Sequence, residues 1–447
     1  MASIEELKAN AQAAIDARST WLINTAKTIL DHPEAGFQEV QTARLVSEKL
    51  NELGIAHETG IALTGLKGYI RGGAPGPTVA VIGELDSLRV PGHPHADPET
   101  GAAHACGHNC QIGMMLGAAV ALKALEGQSE LAGNIALMAL PAEEFIDVEY
   151  RWQLHQEGKL GLMAGKQEFI RLGTFDDVDM AMMVHTTSSS VEDGKFAVGG
   201  TSNGHVVKYI RYMGKSAHAG GAPHEGVNAL QAAVVALNAL NTQRETMRNE
   251  DTVRLHGILT SGGASVNAIP ADVRYEGRVR GRDPEVIADA NMKMDRCLRA
   301  GALTMGASVN IVTMPGYLAM VNNSSMQELF RDNAGQLVGA NNVVTHEPSR
   351  NRGGSTDMGD LSHIMPVIHP YTTAATGGGH GIDYLIEDYV QAVINPAKAM
   401  AMTVIDLLAG QAETAKAVLD TSSPQMSKQQ YLDLQNSRLT EELYEGR

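Results

Sequence analysis

The chain has 447 residues, more than one hydrophobic core usually holds, so two domains are expected. Its 51 acidic and 35 basic residues give a formal net charge of −16, which argues against nucleic acid and an anionic membrane surface as partners. The three cysteines, Cys106, Cys110 and Cys297, do not resemble a disulfide framework. No apolar stretch approaches the roughly 20 residues that span a bilayer. These features predict a cytoplasmic protein with a small-molecule partner.

The first part of the chain is predicted to be helical, and the segments after it to form a sheet. Residues 5–54 are rich in Ala, Leu, Glu and Lys, with a break around residues 32–34 and an end at Gly54. Continuous apolar runs then predict strands buried on both faces, as in the α/β class with a mostly parallel sheet covered by helices. These runs are residues 78–83, 135–140, 180–184 and 366–368.

The middle of the chain has a different pattern. Between residues 198 and 315, the segments read as strand, helix, strand, strand, helix and strand, the order of a ferredoxin-like α+β domain. We therefore predict a catalytic domain in two parts, residues 1–197 and 316–410, with an inserted lid and dimerisation domain over residues 198–315. The polar extension, residues 411–447, is expected to be a solvated helix or a loosely docked segment.

Polar residues follow the ends of the apolar runs. Glu84 and Asp86 come after the first run, Glu143 and Glu144 after the second, and His185 after the third. In an open α/β sheet the carboxyl ends of the strands converge on one crevice, where ligands bind. Residues far apart in the sequence are therefore expected to meet there.

A Cys-x-His pair lies in a loop just before an amphipathic pattern. In a turn, the side chains of Cys106 and His108 can both reach one centre, and Asn109 suits the position that caps a helix. An isolated pair of this kind is more often a buried thiol beside a capping loop. Its interpretation as a metal site depends on other ligands converging with it.

The paired glutamates at the end of the second run suit a hydrolytic metal site. Neighbouring side chains at a strand end point to opposite sides, so Glu144 can bind a metal while Glu143 faces a water. A metal lowers the pKa of its water toward about 7, and a nearby carboxylate can take the proton during attack on an amide carbonyl. The alternative is two solvated glutamates in a loop.

The sequence contains 16 histidines, so several must be bystanders. His185 ends an apolar run, and His380 lies among glycines that allow close backbone approach. We interpret His104 and His369 as neighbours of the ligands. The histidines interpreted as bystanders are His93, His95, His155, His224, His256, His346 and His363. The sequence has no G-x-S-x-G elbow, Walker motif or G-x-G-x-x-G after a strand, which disfavours serine-hydrolase and nucleotide-dependent functions.

Taken together, the motifs resemble those of a known group. They are His104–Asn109 (HACGHN), Pro141–Glu144 (PAEE), His185, Gly214–Ala219 (GKSAHA), Asn267–Pro270 (NAIP) and Gly354–Asp357 (GSTD). Their order, over roughly residues 20–410, is similar to that in the amidohydrolase branch of the aminoacylase/carboxypeptidase dinuclear metallopeptidases. That branch includes bacterial p-aminobenzoyl-glutamate hydrolases and indole-acetyl-amino-acid hydrolases.

The resemblance implies a role for each matching residue. It implies that two divalent ions, Zn²⁺ or Mn²⁺, are held by Cys106, His108, Glu144, His185 and His380, and that Glu143 is the general base. Asp86 is implied to orient a ligand, whereas Glu84 stands where other branches have a ligand histidine. In the lid, His218 is implied to reach the active site of a partner subunit and steady the oxyanion, so a homodimer is expected. Asn267 and Arg280 are implied to contact substrate; for Arg280 the alternative is a strand residue facing solvent.

We therefore predict a metal-dependent hydrolase that cleaves the amide bond of a small N-acyl amino acid. p-Aminobenzoyl-glutamate is the first choice of substrate, on the resemblance alone. Indole-acetyl-aspartate and small dipeptides are the alternative substrates. A catalytically silent subunit of a hetero-oligomer is an alternative of another class, and the complete ligand set argues against it.

Overall fold

The computed structural model describes residues 2–127, 130–188, 194–351 and 353–446. Over these ranges, helices cover a central sheet, and a second unit with its own antiparallel sheet is inserted between two parts of that core. The predicted α/β class is confirmed.

The helical region predicted for residues 5–54 forms three helices before the first strand. The first begins with a capping box, in which the Ser3 hydroxyl accepts the Glu6 N–H and the Glu6 carboxylate accepts the Ser3 N–H. The elements of the first part of the catalytic domain are α1 (Ile4–Ala17), α2 (Ser19–Leu30), α3 (Val40–Glu52), β1 (His57–Ile61), β2 (Gly65–Arg71), β3 (Ala74–Glu84), β4 (Leu88–Arg89), β5 (Ala102–Ala103), α4 (His108–Lys123), β6 (Ala132–Leu140), α5 (Val148–Gln156), α6 (Gly165–Leu172), β7 (Met180–Met182), β8 (His185–Ser188) and β9 (Phe196–Thr201).

The inserted lid follows the predicted order of strands and helices. Its elements are β10 (Gly204–Met213), α7 (Ala229–Gln243), β11 (Arg254–Ser261), β12 (Asp272–Gly281), α8 (Pro284–Met305) and β13 (Ser308–Pro315). The sequence defines α8 at both ends. Asp283 caps it by accepting the Val286 N–H, Pro284 occupies its first turn, and Gly306, at φ 63°, ends it.

The chain then returns to the catalytic domain. The remaining elements are α9 (Ser324–Val338), β14 (Val343–Asn351), α10 (Met358–Ser362), β15 (Val367–Ile368), β16 (Tyr371–Thr376), β17 (Leu385–Ile386), α11 (Asn395–Thr421), α12 (Lys428–Arg438) and β18 (Thr440–Glu445). The backbone of α11 leaves helical geometry at Ala409–Ala412, so its first regular part ends at Leu408.

The catalytic sheet has the strand order β1-β2-β6-β3-β7-β15. Its centre is parallel, because β3 pairs in parallel with β6 and β7, and β7 with β15. The apolar runs are buried as expected, with Val79 and Val81 both 0% exposed. Helix packing is close on one face: a Cβ on Gly117 of α4 would lie 2.6 Å from the Cβ of Ala397 in α11. Such a sheet directs its carboxyl-end loops to one edge.

The carboxyl-terminal segment differs from the predicted solvated or loosely docked extension. In α12, Tyr431 and Gln435 are 0% exposed, and the Gln435 amide donates to Asp360 Oδ1 at 2.9 Å. Strand β18 then pairs antiparallel with β13, so the lid sheet has the order β11-β12-β10-β13-β18. The Arg299 guanidinium bonds both oxygens of Glu442 at 2.8 Å. The polar sequence hides this docking because the buried positions are few and separated.

One segment, Val390–Thr421, is long and apolar enough to cross a membrane, contrary to the expectation from the sequence. However, 83% of its most apolar window is buried inside the protein. The segment includes α11, which packs on α4, β3 and β6. Its apolar character is therefore that of a helix covering a buried sheet.

Candidate metal centre

The residues predicted to bind metal gather at one edge of the catalytic sheet. The loop after β6 carries two glutamates, β8 opens with a histidine, and the loop after β16 carries another. The Cys-x-His pair flanks Gly107, whose φ of 89° turns the chain into α4. The fold thus brings together Cys106, His108, Glu143, Glu144, His185 and His380.

The donor atoms form two overlapping groups. Ligand atoms of Cys106, His108 and His185 all lie within 4.8 Å of one another, and so do those of Cys106, Glu144 and His380. Cys106 Sγ lies 3.3 Å from His185 Nε2, and Glu144 Oε1 lies 3.3 Å from His380 Nε2. The thiol belongs to both groups. This arrangement suits two ions that share one ligand.

Two buried donor atoms support this interpretation. Within the described residues, His108 Nε2 and Glu144 Oε1 make no hydrogen bond of acceptable geometry, although Glu84 Oε2 lies 3.0 Å from the first and His380 Nε2 lies 3.3 Å from the second. A buried polar atom without a well-formed hydrogen bond costs about 1–3 kcal/mol, so such atoms need an explanation. Bound ions would satisfy both, and a mixture of thiolate, imidazole and carboxylate is a donor set that Zn²⁺ accepts. The residues present therefore fit a metal pair.

The charges around the centre favour the ionised, ligand forms of Cys106 and Glu144, but they favour the protonated form of His380, which must lose its proton to bind a metal. Burial and Glu144 act to raise the pKa of Cys106, but His185 and His108 outweigh them and bring that pKa down to about 6. The Glu144 carboxylate raises the pKa of His380 to about 11. In spite of burial, His380 keeps the pKa of Glu144 well below its ordinary value. Cys106 is therefore available as a thiolate at neutral pH.

Glu143 has the opposite environment from its neighbour. Burial raises the pKa of Glu143 well above its ordinary value, and the charges of Glu84 and Glu144 raise it further. The hydroxyl of Tyr317 donates to the main-chain oxygen of Glu143. One glutamate of the pair is thus held ionised and the other is poised to carry a proton, the division of labour that acid–base chemistry needs.

Asp86 contacts two of the site residues at once. Its Oδ1 lies 3.2 Å from His108 Nδ1, and its Oδ2 accepts the Glu144 N–H at 2.8 Å. Its main-chain oxygen lies 3.0 Å from the same nitrogen of His108. A carboxylate behind a ligand histidine fixes the ring orientation and the tautomer. This is the geometry that the predicted orienting role requires.

A buried lysine that sequence analysis did not identify holds Glu84. Lys166 Nζ lies 2.5 Å from Glu84 Oε1 and also pairs with Asp357. All three side chains are at most 1% exposed. Glu84 Oε2 lies 3.0 Å from His108 Nε2, so this ion-pair network reaches the metal centre. Lys166 stands alone in the sequence of α6, outside any motif, so the sequence does not show that it is buried. The GSTD motif, which contains its partner Asp357, was the one indication of this network.

A cavity of about 540 Å³ opens over the metal centre, between the catalytic domain and the lid. Its floor includes Cys106, Glu143 and Glu144, and its lid wall is basic. The lid residues that line it are Arg254, Leu255, His256, Arg278 and Arg280. A small substrate placed there would contact both domains.

The structure separates the predicted lid residues. Arg280 lines the cavity, where its guanidinium donates to Ser355 Oγ at 2.9 Å. His218 and Asn267 are exposed at another part of the lid and are not among the residues lining the cavity. In this single chain the predicted oxyanion histidine therefore does not reach its own site.

Two histidines interpreted as bystanders line the cavity, and that interpretation is corrected. His256 lies opposite Arg278 in the β11–β12 ladder, and His346 projects from β14. Strand register, which spacing in the sequence does not reveal, puts them there. His369 also lines the cavity, with its ring centroid 5.9 Å from that of His185. His104 is buried, and neither ring nitrogen has a hydrogen-bond partner among the described residues.

Comparison with known proteins agrees with this site. The sequence profile of Peptidase family M20/M25/M40 matches residues 80–404. The Xaa-Arg dipeptidase of Mus musculus is 30% identical over 340 residues, 74% of this chain and 70% of that protein. Thermostable carboxypeptidase 1 of Saccharolobus solfataricus is 31% identical over 338 residues, 73% and 79% of the two chains. The IAA-amino acid hydrolase ILR1-like 4 of Arabidopsis thaliana is 25% identical over 363 residues, 77% and 75%.

Solved structures share the fold. A dinuclear metal binding peptidase from the M20 family of Bacillus subtilis has a TM-score of 0.61 at 20% identity, covering 88% of this chain and 99% of that one. The aminobenzoyl-glutamate utilization protein of Klebsiella pneumoniae has a TM-score of 0.63 at 18% identity, covering 88% and 97%. With the donor groups described above, these matches show that the chain belongs to Peptidase family M20/M25/M40 and is a metal-dependent hydrolase of amide or peptide bonds.

Proposed function

We propose that this protein hydrolyses the amide bond of a small N-acyl acidic amino acid, with p-aminobenzoyl-glutamate as the first candidate. The observation that carries the proposal is the position of two metal-binding groups and Glu143 beneath a cavity with a basic lid wall. Divalent ions held there supply Lewis acidity to the scissile carbonyl and to water. The donor set suits either Zn²⁺ or Mn²⁺. A reducing cytoplasm, our proposed location, suits the free Cys106.

Glu143 performs the proton transfers in this proposal. Its carboxylate accepts a proton from the attacking water and then donates that proton to the leaving amine nitrogen. Burial and two neighbouring glutamates, which raise the pKa of Glu143, help it to keep the proton between the two steps. Tyr317, bound to the main-chain oxygen, restrains the residue during both transfers.

Replacement of Glu143 tests this role. Glu143→Gln keeps the shape of the side chain but removes the base, so turnover should fall at least about 10²-fold. Release of p-aminobenzoate would be followed by chromatography, and bound metal by mass spectrometry. Metal content should stay unchanged, and exposed Glu48→Gln is the matched control. Substantial activity in Glu143→Gln would contradict the role. Metal-loaded wild-type protein inactive on every acyl amino acid would favour the non-catalytic subunit.

The lid wall supports an acidic substrate. In the β11–β12 ladder, Arg254 lies opposite Arg280 and His256 opposite Arg278. Among the described residues, no carboxylate forms an ion pair with any of the three arginines. Like charges directly opposite each other on a sheet are destabilising. Burial, with the charge of Arg278 added, lowers the pKa of Arg280 to about 10, although Glu144 and Glu143 act in the opposite direction.

This wall carries more positive charge than a single carboxylate neutralises. Guanidinium groups bind carboxylates through paired, charge-assisted hydrogen bonds. We infer that Arg280 takes the α-carboxylate of the leaving amino acid and that Arg278, with Arg254, takes a second carboxylate. A leaving arginine, as in the name of the Xaa-Arg dipeptidases, would instead add a cation to this wall.

Paired substrates test the preference. For one acyl group, kcat/KM should be about 10- to 100-fold higher with glutamate than with isosteric glutamine, because a charge-assisted hydrogen bond contributes about 1.5–3 kcal/mol. Arg278→Gln should reduce that ratio toward one. Arg211→Gln is the control, since Arg211 pairs with Asp272 on the exposed surface. Equal rates for the two substrates would contradict the preference for acidic substrates but would not contradict the proposed hydrolase activity. Faster cleavage of neutral dipeptides would favour the dipeptidase alternative.

We also propose a homodimer in which His218 serves the site of the partner subunit. His218 is exposed and is not among the residues that line its own cavity, and the edge strand β11 of the lid sheet exposes Ile258 by 65%. Size-exclusion chromatography with light scattering tests the dimer. Mixing inactive His218→Ala and Glu143→Gln chains should restore activity, because one site of each mixed dimer then has both residues. A mixed dimer without activity would contradict the shared site.

A further inference from the structure

Arg151 has the largest side chain among the fully buried residues that the structure describes, with an exposure of 0%. Its guanidinium forms no ion pair with a carboxylate in the part of the chain that the structure describes. It donates instead to main-chain oxygens: Nε to Ile146 at 2.9 Å, Nη1 to Ala142 at 3.0 Å and Met163 at 2.7 Å, and Nη2 to Glu144. The buried charge of Arg151 is therefore stabilised by main-chain carbonyl groups.

Three of these oxygens belong to alternate residues of the loop that carries Glu143 and Glu144. Ala142, at the start of this loop, has φ of 56°, in the left-handed region that favours glycine. The loop lies outside the sheet ladder. The Glu144 carbonyl also accepts the Ile146 N–H, but the Ala142 and Ile146 carbonyls, if left unpaired, would each cost about 1–3 kcal/mol. One planar guanidinium, with five donors in a fixed fork, binds all three at a defined spacing.

Other contacts fix Arg151 itself. The rings of Phe37 and Phe145 lie 5.2 and 4.8 Å from its guanidinium carbon. Its helix, α5, is anchored to lid strand β12, since Glu276 accepts the main-chain N–H groups of Val148 and Glu149 at 3.2 and 3.1 Å. The guanidinium therefore packs against two aromatic rings, and the helix that carries it is anchored at its first turn. Its position transmits that rigidity to residues 142–146.

We propose that Arg151 is a positioning residue for the reaction: it fixes the main chain of residues 142–146 so that Glu143 faces the cavity and Glu144 faces His380. The turnover part of this inference rests on the proposed function. The metal-binding part does not, because Glu144 must be aimed correctly for any ion that it helps to hold. The two parts can be measured separately.

Arg151→Lys is the informative change. It keeps the positive charge but replaces the planar fork with a single ammonium group, which cannot satisfy three carbonyls at this spacing. We expect kcat on p-aminobenzoyl-glutamate to fall by about 10- to 100-fold with KM changed less than about threefold, since misplacement of about 1 Å costs about 10² in rate. Titration of metal-free protein with Zn²⁺ should show about 10-fold weaker binding at one of two sites, because a metal ligand whose orienting partner is lost typically binds about 10- to 100-fold more weakly.

A core variant separates positioning from general destabilisation. Val404→Ala removes buried volume from α11 and touches no residue of the loop, so it should lower the melting temperature without changing kcat or Zn²⁺ affinity. Equal losses of kcat and affinity in this variant would overturn the proposal. Wild-type kcat and affinity in Arg151→Lys would also overturn it. Loss of turnover with unchanged Zn²⁺ affinity at both sites would overturn the part concerning Glu144.

A second variant keeps the proposal testable if Arg151→Lys fails to fold. Glycine adopts positive φ without the Cβ penalty, so Ala142→Gly relieves the strained residue that Arg151 holds. Arg151→Lys combined with Ala142→Gly should recover part of the lost stability and kcat. If neither the single nor the double variant folds, Arg151 supports the fold as a whole and the specific positioning role is rejected.

Discussion

Glu39 is a buried carboxyl that responds to the charge of the metal centre without belonging to it. Its side chain is 0% exposed and accepts the Thr64 hydroxyl at 2.6 Å and the Ala142 N–H at 2.8 Å. Burial, with the charge of Asp86 added, raises the pKa of Glu39 to about 8. The residue thus supports the start of the catalytic loop in its protonated form.

The stability of the metal-free protein should therefore depend on pH through Glu39. With a folded pKa of about 8 against an ordinary glutamate pKa of 4.5, the contribution is fully present below pH 4.5 and is lost as the pH rises through 8. The slope is at most about 1.4 kcal/mol per pH unit. Glu39→Gln should flatten this loss in melting temperature between pH 5 and pH 8, whereas exposed Glu48→Gln should not. An unchanged slope in Glu39→Gln would contradict the assignment.

For individual residues, the sequence predicted the roles of those that belong to motifs and missed the roles of those that do not. Cys106, His108 and Glu144 stand in short motifs whose order is informative. Arg151 and Lys166 belong to no motif, and the residue pattern of their helices does not show that a charge is buried there. Their roles depend on carbonyls and carboxylates brought close only by the fold. Single buried charges of this kind need coordinates.

At the scale of elements, the turn into α4 shows why a helix begins where it does. Gly107 lies between two predicted ligands at φ 89°, and a Cβ there would lie 2.0 Å from Thr186 Oγ1. The turn therefore needs glycine for its backbone angle and for the space beside β8. Both requirements serve to aim Cys106 and His108 at one centre.

Gly107→Ala should destabilise the protein and reduce its metal content. Gly54→Ala is the matched control, because Gly54 also has positive φ, at 65°, but an added Cβ meets nothing within 4 Å. The control should show the backbone cost alone, about 1 kcal/mol, with metal content unchanged. Thermal melting and metal analysis of both variants would measure the difference. Normal metal content in Gly107→Ala would show that the turn tolerates a side chain.

The longer elements were more predictable than the short ones. Helix α8 takes the place of the second helix in the predicted order of the lid, and Asp283, Pro284 and Gly306 mark its two ends. Alternation made β12 visible as a half-buried strand. In contrast, β17 has two residues and β14 is largely exposed, so neither gives a clear periodic signal. Strand β18 was missed because three of its six residues are glutamates and none of its residues is fully buried.

At the scale of the whole molecule, the tail ties the lid to the catalytic domain a third time. The chain passes between the domains at β9–β10 and again after β13, and α12 with β18 makes the further connection. The sequence suggested the insertion through its change of pattern. Apart from Arg280, it did not indicate the residues of the cavity wall or the docked tail, since both depend on how the two units face each other.

Removal of residues 440–446 should promote self-association. It exposes β13, an apolar strand with Val309, Ile311 and Val312 buried, as a new edge of the lid sheet. Long apolar edges pair with other chains. Light scattering over a range of concentrations should show growing particles, whereas Arg299→Met, which removes a side-chain contact but keeps β18, should not aggregate. A truncated protein of unchanged size would contradict this expectation.

Strand β18 also gives the two margins of the lid sheet different characters. One margin, β11, exposes Ile258 and Leu259, while the other carries Glu441, Glu442 and Glu445. Two copies approaching through their acidic margins repel each other, so contact between sheets is steered to the apolar margin. Salt would screen these carboxylates and weaken that steering. The proposed pairing of two copies thus becomes sensitive to ionic strength at a location remote from the reaction.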